Sequence, residues 1–518
     1  MDTIKAPIDV TLDKNYDSAF CGSIPLHLVN LIQPHGVLLT LSRQDLVIIQ
    51  VSENAADVLG TTVEALLDQP LAQYLDDALF LDLKAKINSD NGQEKIPFSV
   101  TLYINGAPLH FIAQVHARDQ LVLVELEKSE PATANQNFLA HYQQIKYVTT
   151  LLKQAENAQD LAQIAVAEIK KLSGFDRVLA YQFDPHWNGI VIGEAKEPDM
   201  ESFLGLRFPA SDVPKQAREL YFKNPYRLIP NRDYTPVRLL PVINPVTNQF
   251  TDLSDCSLRS VAGVHLEYLG NMGVLASMSL PLIIDNQLWG LISCHHRNPL
   301  NPTYEMRSAL ELLSGIISAQ LAGKEREKAI LFKSQLRHVY AQLLEQLHGK
   351  PHFMEGLFVK GKGMEELLNL SGAAVVFEGG LLTSGQTPSA QEIKELVFWL
   401  RRNKTDKTYC TDTLPSNYLR AKDFKQVASG LIALPINPEH GEFILGFRPE
   451  VLQTVNWGGN PNQAVQMEPD GKNYHPRNSF AQYQETVKNT SLPWLAEELE
   501  TAEALRSAVL EKIIKDRY

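Results

Sequence analysis

Short apolar runs separated by turn residues open the readable part of the chain. Gly36 to Gln50 reads as two strands around the turn Ser42-Arg43-Gln44-Asp45. Short helices are expected at Ala55–Leu59 and Thr62–Leu67, then strands at Ile96–Ile104, Leu109–His116 and Gln120–Glu127. Together these make an α+β unit that closes near Ser129, and the Pro- and Ala-containing stretch 130–136 reads as a linker. A second unit starts with helices near Phe138–Gln154 and Ala158–Leu172, followed by strands Arg177–Phe183 and Gly189–Ala195. Its Pro-rich, polar middle, Leu206 to Thr251, far exceeds the usual connection of roughly 4–6 residues, so a pocket is sought there first. The apolar stretch Val274–Cys294 is interrupted by Asp285-Asn286-Gln287 and reads as two buried strands joined by a tight turn, not as a membrane span.

From Glu305 to about His348 apolar residues recur at helical spacing without an internal proline, a helix of roughly 60 Å at 1.5 Å per residue. A rod of that length is a spine joining two domains, with some potential for dimerisation. A third unit carries strands at Ala373–Glu378, Gly430–Pro435 and Glu442–Arg448, then a segment from Pro449 to Trp494 with almost no aliphatic run. An amphipathic helix, Trp494–Tyr518, ends in open charge (Lys515, Asp516, Arg517), which predicts that something follows it in the full protein.

Composition narrows the class. With 518 residues, 44% hydrophobic and 21% charged, the chain is ordinary globular material of several domains. The 48 Lys and Arg against 60 Asp and Glu give a net charge of −12 with no basic block, which excludes a phosphate-gripping nucleic-acid binder. Four widely spaced cysteines (Cys21, Cys256, Cys294, Cys410) without a C-x-x-C pair exclude a disulfide framework and a structural zinc site, and fit a reducing cytoplasm. The first residues lack the apolar core of a signal peptide.

Enzyme signatures are missing: there is no G-x-x-x-x-G-K-[ST], G-x-S-x-G or H-E-x-x-H. Cys294-His295-His296 resembles a metal site only superficially. Neighbours on a strand point to opposite faces, so a buried histidine with a polar partner is the better reading, and no metal is expected. In Pro209–Tyr221, Ser211 or Asp212 suits a helix N-cap and Pro214 the first turn. Arg207, Arg218, Arg227, Arg232, Arg238 and Arg259 gather around it, and arginines near a polar loop of an acidic protein suit a ligand with carboxylates or phosphates.

Six segments then resemble bacterial phytochromes, in the family's order. They are Cys21 with Ile32-Gln-Pro-His-Gly36; Phe203-Leu-Gly-Leu-Arg-Phe-Pro-Ala-Ser-Asp-Val-Pro214; Leu258-Arg-Ser260 with His265-Leu-Glu-Tyr-Leu-Gly-Asn-Met-Gly273; and Leu288-Trp-Gly-Leu-Ile-Ser-Cys-His-His296. The last two, Asn456-Trp-Gly-Gly-Asn-Pro461 and Pro476-Arg-Asn-Ser-Phe480, look like the halves of the family's tongue hairpin. The resemblance implies an α+β fold of three tandem sensor domains, PAS, GAF and PHY, each an antiparallel sheet with flanking helices, joined by the helical spine. It assigns residues 1–24 to an N-terminal arm, 25–130 to PAS, 131–320 to GAF, 321–495 to PHY with the tongue at about 449–490, and 496–518 to a signalling helix. It also implies an N-terminal figure-of-eight knot with Ile32 at the crossing.

The same resemblance implies a red/far-red photoreceptor that holds a linear tetrapyrrole in its GAF pocket and relays isomerisation of the C/D-ring double bond through the tongue. Of the family's two attachment schemes, the GAF cysteine is ruled out by Val264, whereas Cys21 stands where the biliverdin-binding cysteine does. Biliverdin IXα joined covalently to Cys21 is therefore implied. Arg227 and Arg259 match the propionate partners, with Tyr221, Ser277 and Ser279 adding hydroxyls. The Asp212 carbonyl and His265 match the pyrrole station, and His295 the partner of the ring D carbonyl. Tyr181, Phe203 and Tyr268 match the ring D shell, and Trp457, Arg477 and Ser479 the signalling tongue, the last two as alternative partners of Asp212. Ala262, where the family often has Ser or Thr, and Val213 are departures.

The implied partners are biliverdin, a second copy of the chain through the long helices, and a C-terminal output domain such as a histidine kinase or diguanylate cyclase. Nucleic acid and membrane are not among them, and the chain is expected to be a cytoplasmic sensor without catalysis of its own. A GAF module binding a cyclic nucleotide also suits arginines beside a polar loop, but leaves Cys21 and the tongue without a task. An apo scaffold with an emptied pocket requires the key residues to be lost, and they are present.

Overall fold

The computed structural model describes residues 25–89, 96–118, 120–129, 134–359, 363–403, 405–461, 465–467 and 474–517. Cys21 lies outside the described residues. The fold divides into two compact units, one within Lys14–Lys324 and Asn456–Tyr483, the other within Glu325–Val455 and Gln484–Tyr518.

Thirteen strands of the first unit can be followed along the chain: β1 (Leu31–Ile32), β2 (Val37–Ser42), β3 (Ile48–Ser52), β4 (Ile96–Ile104), β5 (Ala107–Ala117), β6 (Leu121–Lys128), β7 (Arg177–Phe183), β8 (Gly189–Lys196), β9 (Arg207–Phe208), β10 (Arg227–Ile229), β11 (Val237–Leu240), β12 (Ala276–Ile284) and β13 (Gln287–His296). The first sheet has the order β1-β11-β3-β2-β6-β5-β4 among the described residues. One of its faces buries Val37, Leu39, Phe111, Val115, Val124 and Leu126 under the short helices Ala55–Leu59 and Val63–Leu66 and the longer helix Asp77–Ser89, which periodicity had not announced.

β11 belongs to the long polar middle of the second domain, yet it pairs with β1 and β3 of the first sheet. Residues 27–33 lie between two limbs of that segment. Leu239 N–H donates to Asn30 O at 3.2 Å on one side, and Gln33 N–H donates to Leu258 O at 2.7 Å on the other. Ile32, wholly buried, sits at the crossing, against Leu239, Leu253 and Leu258. The limbs are closed into a loop by the pairing of Arg227–Ile229 with Ser277–Ser279.

The second sheet runs β10-β12-β13-β7-β8-β9. Its hairpin turns at Asp285 and Asn286, both with positive φ (49° and 60°), the conformation a two-residue connection between twisted strands requires. One face packs on the helix Ala158–Ser173, whose start is capped by Asn157 accepting from Asp160 N–H at 2.9 Å and whose end is closed by Gly174 at φ 74°. The preceding helix begins at Ala134, inside the expected linker, because Ala-Asn-Gln carries nothing that stops a helix nucleated further on.

The spine is a 46-residue helix, Tyr304–Gly349, which at 1.5 Å per residue is ~69 Å long. In the second unit the strands are β14 (Gly372–Phe377), β15 (Gly380–Gly385), β16 (Tyr409–Thr411), β17 (Gly430–Asn437) and β18 (Glu442–Arg448), in the order β15-β14-β18-β17-β16. One face takes the end of the spine and Ala496–Arg517 through Leu343, Leu347, Leu505 and Val509. The other takes the helix Ala390–Arg402, started by a reciprocal Ser389/Glu392 capping box. The tongue is in strand form: β19 (Gln453–Gly458), β20 (Val465–Met467), β21 (Tyr474–Pro476) and β22 (Gln482–Val487). Trp457 pairs in parallel with Arg207 of β9, so the tongue extends the second sheet.

Candidate functional site

Strand alternation builds the site. On β13, Leu291, Ser293 and His295 line a cavity while Ile292 and Cys294 enter the core beneath. On β7, Leu179 and Tyr181 face the cavity and Val178 and Ala180 the core; on β10 and β12, Arg227 and Ser279 do so against Leu228 and Met278. The roof comes from Ser211–Tyr221 and from the helix Gly263–Asn271. The space amounts to about 1660 Å³, its open mouth included. Gly189 leaves room for the Tyr181 ring: a Cβ there would come within 1.7 Å of Tyr181 Cζ.

Alternation also splits Cys294-His295-His296. The Cys294 thiol lies in the apolar core, where burial pushes its pKa up, and His296 Nδ1 stands 3.2 Å from Asp176 on the opposite side from the cavity. His295 alone faces the cavity, with Nε2 3.1 Å from Ser293 Oγ and Nδ1 unpartnered. Burial first, then the charges of Arg177 and Arg227, push its pKa down to about 3. His265, stacked on Tyr268 with ring centroids 5.8 Å apart, is held well below the ordinary histidine value by burial, Arg227 and His295, and its Nε2 has no partner.

Two arginines enter the same space without carboxylates. Arg227 Nη2 donates to Ser279 Oγ at 3.3 Å, and Arg259 Nη1 to the Leu26 carbonyl at 2.9 Å. Neither forms an ion pair with a described residue, and the Nε of each is buried and unpartnered. Burial lowers the Arg259 pKa from its usual value.

Asp212 is the carboxylate that lines the cavity, and it is already engaged. Its Oδ2 accepts from Tyr268 Oη at 2.8 Å and is ion-paired with Arg477 Nη2 from the tongue. Burial pushes the carboxyl pKa up, against the pull of Arg477 and Tyr268; burial also opposes the Arg477 charge, but Asp212 leaves that pKa raised. Arg477, 2% exposed, lies among Phe208, Tyr268 and Phe480, its guanidinium carbon 4.8–5.8 Å from their ring centres, and Asn271 Nδ2 donates to its carbonyl at 3.1 Å.

The expected helix cap is not made. Ser211 and Asp212 form a short 3₁₀ turn, and Pro214 is the N-cap of Lys215–Leu220 without a side-chain bond. The Asp212 carboxylate is drawn to Arg477 instead, since a buried full charge outcompetes a backbone N–H.

The structure therefore gathers Asp212, His265, His295, Arg227, Arg259, Tyr221, Ser279, Tyr181, Phe203 and Tyr268 around one cavity. Ser277, fully buried on β12 opposite His295, lies outside the lining, as do Ile32 at the crossing and Trp457 on the tongue strand. Ser479 is exposed, its Oγ accepting from Ala481 N–H at 3.3 Å and not bonded to Asp212. Val264 and Ala262 both line the cavity. Sequence reasoning missed Phe208, Val213, Met272, Ser293 and Tyr226, which also line it; Ser293, two positions before His295 on β13, was available from strand period alone.

Residues 21–129 match the PAS fold, 157–323 the GAF domain and 336–517 the phytochrome region. These three in tandem define a sensor module. The chain is 38% identical to cyanobacterial phytochrome B of Nostoc sp. over 508 residues, covering 98% of this chain and 68% of that protein. It is 30% identical to a bacteriophytochrome of Xanthomonas campestris, covering 100% of this chain and 81% of that one. The solved photosensory core module of the Stigmatella aurantiaca phytochrome superposes with a TM-score of 0.81 at 38% identity, over 96% of this chain and 98% of that one. The chain belongs to the phytochrome family of photoreceptors, whose chromophore is a bilin. It spans about two thirds of the Nostoc relative, and phytochrome kinship disfavours the cyclic-nucleotide reading.

Proposed function

We propose that this chain is the photosensory part of a red/far-red photoreceptor carrying biliverdin on Cys21. The observation that carries the reading is a pair of half-buried arginines, Arg227 and Arg259, whose Nε atoms are buried and unpartnered, facing an aromatic cavity with no carboxylate among the described residues to neutralise them. A buried charge without a partner is costly, so the cavity suits a flat apolar ligand with two acidic arms. Unpartnered Nε2 of His265 and Nδ1 of His295 fit the polar edge of such a ligand. Leu26, five residues past Cys21, lines the cavity, which supports Cys21 as the nucleophile.

When bound, biliverdin supplies red absorption and the isomerisable double bond between rings C and D. The chain's own residues do the rest. Arg227 with Ser279, and Arg259 with Tyr221 nearby, hold the carboxylates; the Asp212 carbonyl and His265 serve the pyrrole N–H groups. His295 donates towards ring D, and Tyr181, Phe203 and Tyr268 wall that ring. Ser277 supports the strand beside Ser279. Arg477 holds Asp212 while the tongue is in strand form, and Ser479 replaces it when the tongue refolds, with Trp457 leaving β9 in the same step. Residues 25–130, 131–320 and 321–495 are the PAS, GAF and PHY domains, and 496–518 carry the signal. The module senses; catalysis belongs to an output domain in the longer protein, as the greater length of the Nostoc relative suggests. No described helix is long and apolar enough to cross a membrane, and a cytoplasmic dimer is the setting proposed.

The test mixes apoprotein with biliverdin and follows colour, red-light difference spectra and pigment on a denaturing gel. Wild type should give a photoswitchable adduct that survives denaturation; Cys21→Ser should lose the covalent band. A colourless wild type, or a Cys21→Ser band of undiminished strength, overturns the proposal.

A further inference from the structure

An antiparallel sheet packed on one face usually turns its polar face to water. The first sheet does not. Opposite its apolar core, Gln114, His116, Glu125 and Glu127 are only 5%, 5%, 1% and 8% exposed. They are covered by the segments that deliver the two cavity arginines.

Glu125 Oε2 accepts from Leu258 N–H at 2.6 Å and Oε1 from Ser257 N–H at 3.0 Å, while His116 Nε2 lies 2.7 Å from Oε1. Gln114 bridges both segments: its Nε2 donates to Tyr226 Oη at 3.2 Å, and its Oε1 accepts from Ser257 Oγ at 3.4 Å. Glu127 takes Arg307 of the spine in a two-pronged pair, 2.9 and 2.7 Å, and Arg307 Nη1 stands 3.4 Å from the same Tyr226 hydroxyl. Leu258 immediately precedes Arg259, and Tyr226 immediately precedes Arg227. Each cavity arginine is thus pinned one residue upstream by a polar side chain of the first sheet. None of the four sheet residues lines the cavity.

We propose that Glu125 and Gln114, with Glu127 acting through Arg307, are positioning residues that fix the spacing of Arg227 and Arg259 for a dicarboxylate. The inference rests on reading the cavity as a bilin site. A buried carboxylate with two amide donors has little freedom, so it transmits the geometry of the sheet to the loop. Gln at position 125 keeps one accepting oxygen and leaves one of the two amides unpaired.

The test uses the full chain carrying Glu125→Gln or, separately, Gln114→Leu, neither of which touches the cavity. The rate of adduct formation is measured against concentration for biliverdin and for biliverdin dimethyl ester, which lacks the acidic arms. Wild type should saturate at lower concentration with the diacid. Both variants should raise the half-saturating concentration of the diacid roughly tenfold, the loss of about one charge-assisted bond, with the ester and the maximal rate unchanged. Equal weakening for acid and ester, which general loosening of the fold would give, overturns the proposal, and so does an unchanged preference for the acid. A wild type that does not distinguish the two ligands overturns the bilin reading beneath it.

Discussion

His295 shows how burial decides what a single side chain does. Its pKa is pushed down to about 3, whereas in an unfolded chain it is about 6.5. Above that value both states leave the ring neutral and the shift has no effect on stability. Below it the unfolded chain takes a proton that the folded chain refuses, so stability falls by about 1.4 kcal/mol per pH unit on the way down. His265 is displaced in the same direction and adds to the slope. Denaturant unfolding of the apoprotein should therefore show lower stability at pH 5.5 than at pH 7.5, with a smaller difference in His295→Gln. Identical slopes in the two proteins would refute the assignment. At this scale the motifs singled out Asp212, His265 and His295, each in a distinctive run, and the structure brings all three to one cavity. Local pattern alone misread one partner: the N-cap expected of Ser211 or Asp212 was the locally sensible choice, whereas the family resemblance pointed to Arg477, 265 positions away, which holds the carboxylate.

The tongue is an element held at named points. Besides the Arg477–Asp212 pair, the Asn271 side chain bonds the Arg477 backbone, and His475 Nδ1 lies 3.0 Å from Glu267 on the same helix. Replacing Arg477 by Ala leaves the Asp212 carboxylate buried with Tyr268 alone, a change on the order of 3–5 kcal/mol when one partner of a buried pair is lost. The strand form should weaken, seen as faster protease cleavage within 456–483 and an altered formation or lifetime of the photoproduct. Cleavage and photocycling like wild type would count against the latch. Regular elements were legible because their period is local: β4, β7 and β18 begin and end where alternation and turn residues place them. The helices Asp77–Ser89 and Ala390–Arg402 were not read from the sequence, the first because its apolar face is weak, the second although Ile393, Leu396, Val397 and Leu400 recur at helical spacing behind the Ser389/Glu392 capping box.

At the scale of the molecule, the spine leaves Leu312, Ile330 and Leu331 54–67% exposed on one continuous helix. Large apolar side chains left in water along a rod favour a second copy. Sedimentation should find a dimer of the 58.0 kDa chain, and Ile330→Glu with Leu331→Glu should shift it towards monomer. A wild type that sediments as a monomer at micromolar concentration would dismiss the seam.

Chemical periodicity within a few residues sufficed to mark strands, hairpin turns and the spine, and the order of six motifs sufficed to suggest the family. Those signals are short-range, since a repeat of two or 3.6 states which face of an element is covered. It does not state by what. Only packing brought β11 onto the first sheet and set Glu125 beneath amides 132 and 133 positions further along. Such pairs depend on how whole sheets and loops close on one another, and their partners are fixed by the volume and charge left over once the cores have formed.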